Sequence, residues 1–193
     1  MNKSINKKTM NKSIKLLSAG FILGLAFLQS CEKDPKPNVA PINEGELITT
    51  IILSSRDSAS GQIRDFVFRD KDGEGGNAAS QFDSIELSSG HTYYFELILL
   101  DESKAETDTI SNEVLNEGED HLFVYIPKNI DLVIGETDKD KNGLALGLKS
   151  TWKANSIGRG NVNVILKHQP GIKNGDPLLG ETDIAVDFKC LIK

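Results

Sequence analysis

The chain has 193 residues and carries 22 lysines and arginines against 28 aspartates and glutamates, which gives a formal charge of −6. A field of that sign repels phosphate groups, so it disfavours nucleic acid and anionic lipid surfaces as partners. Two cysteines cannot form a disulfide framework, and the length suits a single domain with its own hydrophobic core.

The first thirty residues have the pattern of a secretory signal peptide. Residues 1–15 hold five lysines and no acid, and a mainly apolar run follows over 16–28. As a helix that run would reach roughly 20 Å, which is short of a bilayer core of about 30 Å. We therefore predict a cleaved signal peptide over residues 1–30 rather than a permanent membrane span.

The end of this segment, Leu28-Gln29-Ser30-Cys31, resembles the lipobox of bacterial lipoproteins. The resemblance implies that a diacylglycerol is attached to the Cys31 thiol and that the chain is cut before this residue. The mature protein would then be residues 31–193. Because the leader holds five lysines and no acid, its removal would leave a charge of −11.

Residues 31–43 are predicted to form a flexible tether. Residues 32–37 are charged or proline, so they cannot bury enough apolar surface to offset the entropy lost on ordering. Charged residues directly after the lipidated cysteine also resemble the export signal of surface lipoproteins in Bacteroidota. The resemblance implies an outer-membrane anchor with the folded domain exposed at the cell surface.

From residue 44 onward the dominant pattern is short β-rich runs separated by clusters of turn residues. Alternation of apolar and polar residues is clearest over 182–192, where Cys190 falls on the apolar face, and 92–100 is apolar on both faces toward its end, as in a central strand. The pattern predicts one all-β domain over 44–193, an antiparallel β-sandwich (Ig-like) of about 8–9 strands. The candidate strands are 47–53, 63–69, 84–87, 92–100, 121–126, 132–137, 146–153, 161–168 and 182–192.

One segment departs from this pattern. Ile110 and Val114 are four residues apart, Thr109 is a suitable N-cap residue, and Gly118 is a suitable residue to follow a helix. We predict one short helical connection between two strands here.

Two acidic, glycine-bearing loops are candidate calcium sites. The first choice is Asp138, Asp140 and Asn142, and the second is Asp70, Asp72 and Glu74, since oxygens at alternate positions before a glycine can wrap a hard cation. The twelfth position from Asp138 is Lys149, where an EF-hand needs a bidentate glutamate, so only a looser and weak site is predicted. The alternative is that both loops are solvated hairpin turns.

Other chemistry-bearing residues carry weaker predictions. Three separate histidines, His91, His121 and His168, together with carboxylates could form a zinc set, but isolated structural histidines are the simpler interpretation. The single tryptophan, Trp152, is either a core residue or a platform for carbohydrate. No nucleophile elbow, phosphate-binding loop or metalloprotease motif occurs, and we predict that the chain is not an enzyme.

Nearly the whole mature region resembles a group of small Bacteroidota lipoproteins of unassigned activity, often labelled as having a type 1 periplasmic binding fold. The segments that carry the resemblance are 46–50, 100–104, 137–140 with 143–144, 147–148 with 150–152, 166–171 and 180–183. That label denotes an α/β architecture, whereas the strand pattern of this chain predicts a β-sandwich. The resemblance transfers no catalytic residues.

Taken together, these features predict a lipid-anchored surface binding module. Its role would be accessory to TonB-dependent uptake of a metal or small nutrient through an outer-membrane receptor. The alternative is a structural or adhesive surface domain that has a protein partner and no small ligand.

Overall fold

The computed structural model describes residues 47–73, 76–135 and 137–193. The predicted signal peptide, the lipidation residue Cys31 and the predicted tether lie outside the described residues. So do the predicted domain start at residue 44 and the candidate ligand Glu74.

The described part of the chain forms ten strands and one short helix. In chain order they are β1 (Thr50–Asp57), β2 (Ile63–Arg69), β3 (Gln81–Phe82), β4 (Ile85–Leu87), β5 (Thr92–Leu100), α1 (Ile110–Asn116), β6 (His121–Lys128), β7 (Leu132–Gly135), β8 (Lys149–Ala154), β9 (Gly158–His168) and β10 (Glu181–Ile192).

The strands form two sheets. The larger sheet has the order β3-β2-β1-β5-β8-β7, and the smaller has the order β4-β10-β9-β6. All strand pairs are antiparallel except β4 with β10, which is parallel. The predicted all-β antiparallel sandwich is thus confirmed, with ten strands where eight or nine were predicted, because the two-residue β3 is too short to leave a sequence pattern.

Strand boundaries differ most where polar residues continue a strand. The apolar run that predicted the first strand ends at Leu53, yet β1 continues to Asp57 because Ser54–Asp57 pair in register with Tyr93–Glu96 of β5. The strand predicted to begin at residue 146 begins at Lys149 in β8. Backbone pairing therefore extends β1 into a segment whose composition is typical of a turn.

The core lies between the two sheets and is built from the alternate residues that each strand turns inward. Trp152 and Phe188 are fully buried, and the Phe95 ring stacks on Trp152 with 4.1 Å between ring centroids. Cys190 is also buried, as its parity predicts, and burial raises the pKa of its thiol to about 12. This thiol is therefore a core group and is protonated at neutral pH.

The helix α1 connects β5 and β6 close to the position predicted for it. Its buried residues are Ile110 and Val114, one helical turn apart, as the sequence spacing predicts. Thr109 occupies the N-cap position without a side-chain hydrogen bond to the helix, and Glu117 is the C-cap, so Gly118 follows the helix directly. Among the described residues, no helix has the length and apolar character needed to cross a membrane.

Candidate functional site

A groove of about 410 Å³ lies on the outer face of the larger sheet. It is within the size range typical of small-molecule sites. The groove is lined by strands β1, β2, β5 and β8, with outward side chains from Ser54, Arg56, Ile63, Tyr94, Glu96, Lys149 and Thr151. Since neighbouring strands are about 4.8 Å apart, four strands give a binding surface about 14 Å across.

Strand register arranges the lining side chains in two rows across the sheet. Arg56 pairs with both Ile63 and Tyr94, and Tyr94 pairs in turn with Thr151, which gives the first row. The Arg56 guanidinium carbon lies 5.1 Å from the centroid of the Tyr94 ring, within cation–π distance. This row therefore combines an aromatic ring that is held in place with an exposed cation beside it.

The second row lies two residues further along the strands. Ser54 pairs with Glu96, and Glu96 pairs with Lys149. The Lys149 ammonium lies 3.5 Å from the Glu96 carboxylate, and both side chains are more than half exposed. An exposed pair of this kind contributes little to stability, so both groups can turn to a ligand at small cost.

The polar groups of the groove are mostly unpaired. Among the described residues, none forms a hydrogen bond with the hydroxyls of Ser54, Tyr94 or Thr151, and none forms an ion pair with Arg56. Tyr94 is 47% exposed and Ile63 is 65% exposed. The groove thus offers donors, acceptors, a planar ring and apolar surface that the fold itself does not use.

The first predicted calcium loop has a different character. Asp138 Oδ1 accepts hydrogen bonds of 2.9 Å from the backbone N–H groups of Gly147 and Lys149. Asp140 Oδ1 accepts two more, from Asn142 and Leu144, also at 2.9 Å. These bonds hold the hairpin that joins the end of β7 to β8.

A lysine supplies positive charge to this loop. The Lys173 ammonium lies 2.8 Å from Asp140 Oδ2 and 2.7 Å from the carbonyl oxygen of Gly118. The side chains of Lys173 and Asp140 are 2% and 0% exposed. Burial raises the pKa of Asp140, but the Lys173 ammonium and the Leu144 N–H outweigh burial and hold the pKa below its ordinary value.

A cation entering this loop would have to compete with Lys173 for Asp140. The calcium site at Asp138, Asp140 and Asn142 stays a prediction, and any binding there includes the cost of displacing a buried ion pair. Within residues 47–73, 76–135 and 137–193, no group of three or more histidine, cysteine, aspartate and glutamate side chains is arranged to hold a metal ion.

The second predicted calcium loop is only partly described, because Glu74 lies outside the described residues. Asp72 Oδ2 accepts two 2.7 Å hydrogen bonds from Asn77, one from its backbone N–H and one from its side chain. The Asn77 backbone N–H, followed by the Asn77 side chain, lowers the pKa of Asp72, while burial and the neighbouring Asp72 carboxylate raise the pKa of Asp70. This loop therefore holds two interacting carboxylates, and its calcium site stays a prediction.

Two of the three histidines come together, which the sequence did not predict. His121 on β6 and His168 on β9 are cross-strand partners. Their rings stack with 4.8 Å between the ring centroids and 9° between the ring planes. His121 Nδ1 donates to the carbonyl oxygen of Glu117 at 3.0 Å. Nitrogen lone pairs lie in the ring plane, so two parallel rings do not direct them at one metal ion. His91 lies elsewhere, with Nδ1 2.9 Å from Asp57 Oδ2.

Trp152 belongs to the core and is not a carbohydrate platform. It is fully buried, and its Nε1–H donates to Ser150 Oγ at 2.8 Å. An exposed aromatic of this sheet is Tyr94, which lies on the neighbouring strand and on the opposite face. Its parity within residues 92–100, beside the inward Tyr93 and Phe95, is the signal in the sequence from which it could have been found.

No family model, no curated protein and no solved structure matches this chain.

Proposed function

We propose that this chain is a lipid-anchored binding module of the bacterial cell surface. Its lipid on Cys31 holds it in the outer membrane, and the groove of the larger sheet takes a small nutrient. The bound nutrient passes to an outer-membrane receptor of a TonB-dependent uptake system. The groove is the observation that carries this proposal.

The groove supports ligand binding because several polar side chains that have no partner among the described residues lie together there. Most buried polar groups of a folded protein have internal partners, and ligand sites are concave surfaces with a few polar groups left for a ligand. Here Ser54, Arg56, Tyr94 and Thr151 meet that description on adjacent strands. Strands β1, β5 and β8 are each paired with a neighbour on both sides. Because this pairing fixes their backbones, little conformational entropy is lost when a ligand binds.

An organic nutrient fits the groove better than a metal ion does. The groove is lined by one carboxylate, Glu96, and by two cations, Arg56 and Lys149. Hard cations need several oxygen ligands of negative or carbonyl character, which this lining does not supply.

The anchoring part of the proposal is tested in cells that carry the full chain. With the natural sequence, we expect palmitate labelling, recovery with the outer membrane and digestion by protease added to intact cells. Cys31→Ala should lose the label and the membrane association. A Cys31→Ala protein that is still labelled and still fractionates with the outer membrane would disprove the anchor.

The binding part is tested with a thermal-shift panel of small nutrients on the full-length chain. The panel contains neutral sugars, acidic sugars, amino acids, organic acids and divalent metal ions. We expect at least one organic solute to raise the melting temperature of the natural chain and of Val133→Ala, but not of Tyr94→Leu. Val133 is a suitable control because it is an exposed residue of the same sheet outside the groove lining.

Failure of every solute in this panel would count against the binding module. Recovery of a specific protein partner together with that failure would favour the structural or adhesive alternative. A solute effect that survives Tyr94→Leu would place the ligand site outside the groove.

A further inference from the structure

We propose that the groove binds an acidic saccharide, a sugar chain in which at least one ring bears a carboxylate. This inference rests on the proposed binding function and names the ligand class of the same site. The sugar ring lies against Tyr94, the carboxylate meets Arg56, and the hydroxyl groups bond to the second row of the groove.

Tyr94 supplies the surface on which a sugar ring packs. A pyranose ring has apolar C–H faces and polar edges, and a tyrosine ring beside hydroxyl-bearing side chains presents the complementary combination. The Arg56 guanidinium lies over one face of the Tyr94 ring, so it limits the motion of that ring, and the sugar ring packs on the other face. The exposed Ile63 next to Arg56 extends the apolar strip of the first row.

Arg56 supplies the charge selectivity. It forms no ion pair with any residue in the part of the chain that the structure describes, although the whole chain has more acids than bases. A guanidinium without a carboxylate partner presents paired N–H donors that match the two oxygens of a carboxylate. The lining holds Arg56, Lys149 and Glu96, and the exposed Asp65 lies beside Ser54 in the second row, so the unpaired positive charge is that of Arg56 in the first row.

The remaining side chains suit sugar hydroxyls. Ser54 and Thr151 both donate and accept, Glu96 accepts, and Lys149 donates. They lie on three adjacent strands at the two register positions beside Tyr94 and Arg56. A ligand with hydroxyl groups on several sides of a flat ring can engage all of them at once, whereas a simple organic acid can reach only part of the groove.

Two other ligand classes fit less well. A peptide that adds a strand to a sheet needs unpaired backbone groups, yet β1, β5 and β8 each have a strand on both sides. Nucleic acid carries a phosphate at every nucleotide, and the groove lining offers only two cations, Arg56 and Lys149.

The test is isothermal titration of the full-length chain in detergent with matched pairs of sugars. Each pair is a uronic-acid trisaccharide and its methyl ester, which has the same skeleton without the charge, and acetate is included as a bare carboxylate. Three variants are compared: Arg56→Met and Tyr94→Leu in the groove, and Lys153→Met as the control. Lys153→Met removes one positive charge from the same sheet, as Arg56→Met does, but Lys153 lies outside the groove lining.

We expect at least one uronate trisaccharide to bind, with its methyl ester about tenfold to a hundredfold weaker, because one charge-assisted contact is lost. Arg56→Met should weaken the uronate by a similar factor and should remove the preference for the charged sugar. Tyr94→Leu should weaken the uronate and the ester equally, by about tenfold. Lys153→Met should change neither by more than about twofold, and acetate should not compete at millimolar concentration.

Equal binding of uronate and ester, equal loss in Arg56→Met and Lys153→Met, or full competition by acetate would each overturn the inference. If no uronate binds while another organic solute binds through Tyr94, the inference fails and the proposed binding function stands. If no solute binds at all, both fail.

Discussion

The pairs Lys173–Asp140, at the hairpin before β8, and Lys149–Glu96, in the groove, each join a lysine to a carboxylate, and they differ in almost every other respect. In the hairpin before β8, Asp140 is buried, accepts two backbone hydrogen bonds and pairs with the buried Lys173 of the β9–β10 connection. In the groove, Lys149 and Glu96 are exposed and lie among unpaired hydroxyls. The first arrangement is complete within the fold, whereas the second leaves its polar groups available to a ligand.

The comparison shows why the acidic loop is so prominent in the sequence and the groove is not. Turn residues such as Asp, Asn and Gly cluster where a hairpin needs them, and their carboxylates then serve the backbone. A binding face on a sheet is instead spread over every second residue of several distant strands. The loop can therefore be recognised from local composition, whereas the groove cannot.

The largest expected difference is between two matched lysine variants. Lys173→Met should lower the free energy of unfolding by about 3 kcal/mol, since it leaves the Asp140 carboxylate buried without its cation. Lys149→Met should change it by less than about 0.5 kcal/mol, because the pair it removes is exposed. Urea unfolding followed by circular dichroism measures both. Equal losses in the two variants would remove the distinction between the regions.

A calcium titration tests whether Lys173 competes with a cation for the loop at Asp138, Asp140 and Asn142. Calcium bound by Asp138, Asp140 and Asn142 would have a dissociation constant on the order of 10⁻⁴ to 10⁻³ M. At a free calcium concentration 100 times that constant, binding would add about 2.7 kcal/mol to the free energy of unfolding. Because Lys173 competes for Asp140, we expect a larger rise in melting temperature in Lys173→Met than in the natural chain. Magnesium and sodium at equal ionic strength are the controls. A Lys173→Met protein that responds equally to calcium and magnesium would leave this loop as a turn.

The stacked histidines give a smaller, pH-dependent effect. Burial is the main reason that the pKa of His121 lies below its ordinary value, and the nearby His168 lowers it further, while Glu117 and Asp183 act in the opposite direction. The unfolded chain therefore binds a proton that the folded chain does not. Stability should fall as the pH drops below about 6.5, by up to about 1.4 kcal/mol per pH unit from this residue.

The matched variant for this effect is His121→Phe, which keeps a ring next to His168 but cannot take a proton. Urea midpoints between pH 7.5 and 5.5 should fall less steeply in this variant than in the natural chain. The same slope in both proteins would show that other groups cause the pH dependence.

Replacing Tyr94 in the groove should also have a small effect on stability. Tyr94→Leu should change the free energy of unfolding by less than about 1 kcal/mol, because the side chain is nearly half exposed and its hydroxyl has no partner among the described residues. The melting temperature measured without solutes checks this. A loss as large as that of Lys173→Met would mean that Tyr94 holds the fold together, and its loss of binding would then carry no information about a site.

The sequence predicted the sandwich because period-two alternation in β10 and the paired apolar residues of α1 are local signals. It also predicted that Cys190 points inward. It did not predict the second half of β1, because Ser54–Asp57 are polar and only their pairing with β5 makes them a strand. The groove depends on that half, so the residues Ser54 and Arg56 could not be recognised before the register was known.

Lys173 was missed for a related reason. It is 33 residues from Asp140 in the chain, and no spacing rule connects them. The stacking of His121 on His168 likewise follows from the pairing of β6 with β9, which sequence alone does not fix. Contacts between residues that are far apart in the chain thus account for Lys173, for the stacked histidines and for the groove.

Under the proposed function, a small ligand binds in the groove of the larger sheet. The most direct test is an amide NMR titration of the full-length chain in detergent with the strongest binder from the solute panel. We predict that the largest chemical-shift changes fall on residues 54–56, 94–96 and 149–151. Largest changes in the loops 138–143 and 169–173, with the groove unaffected, would contradict it.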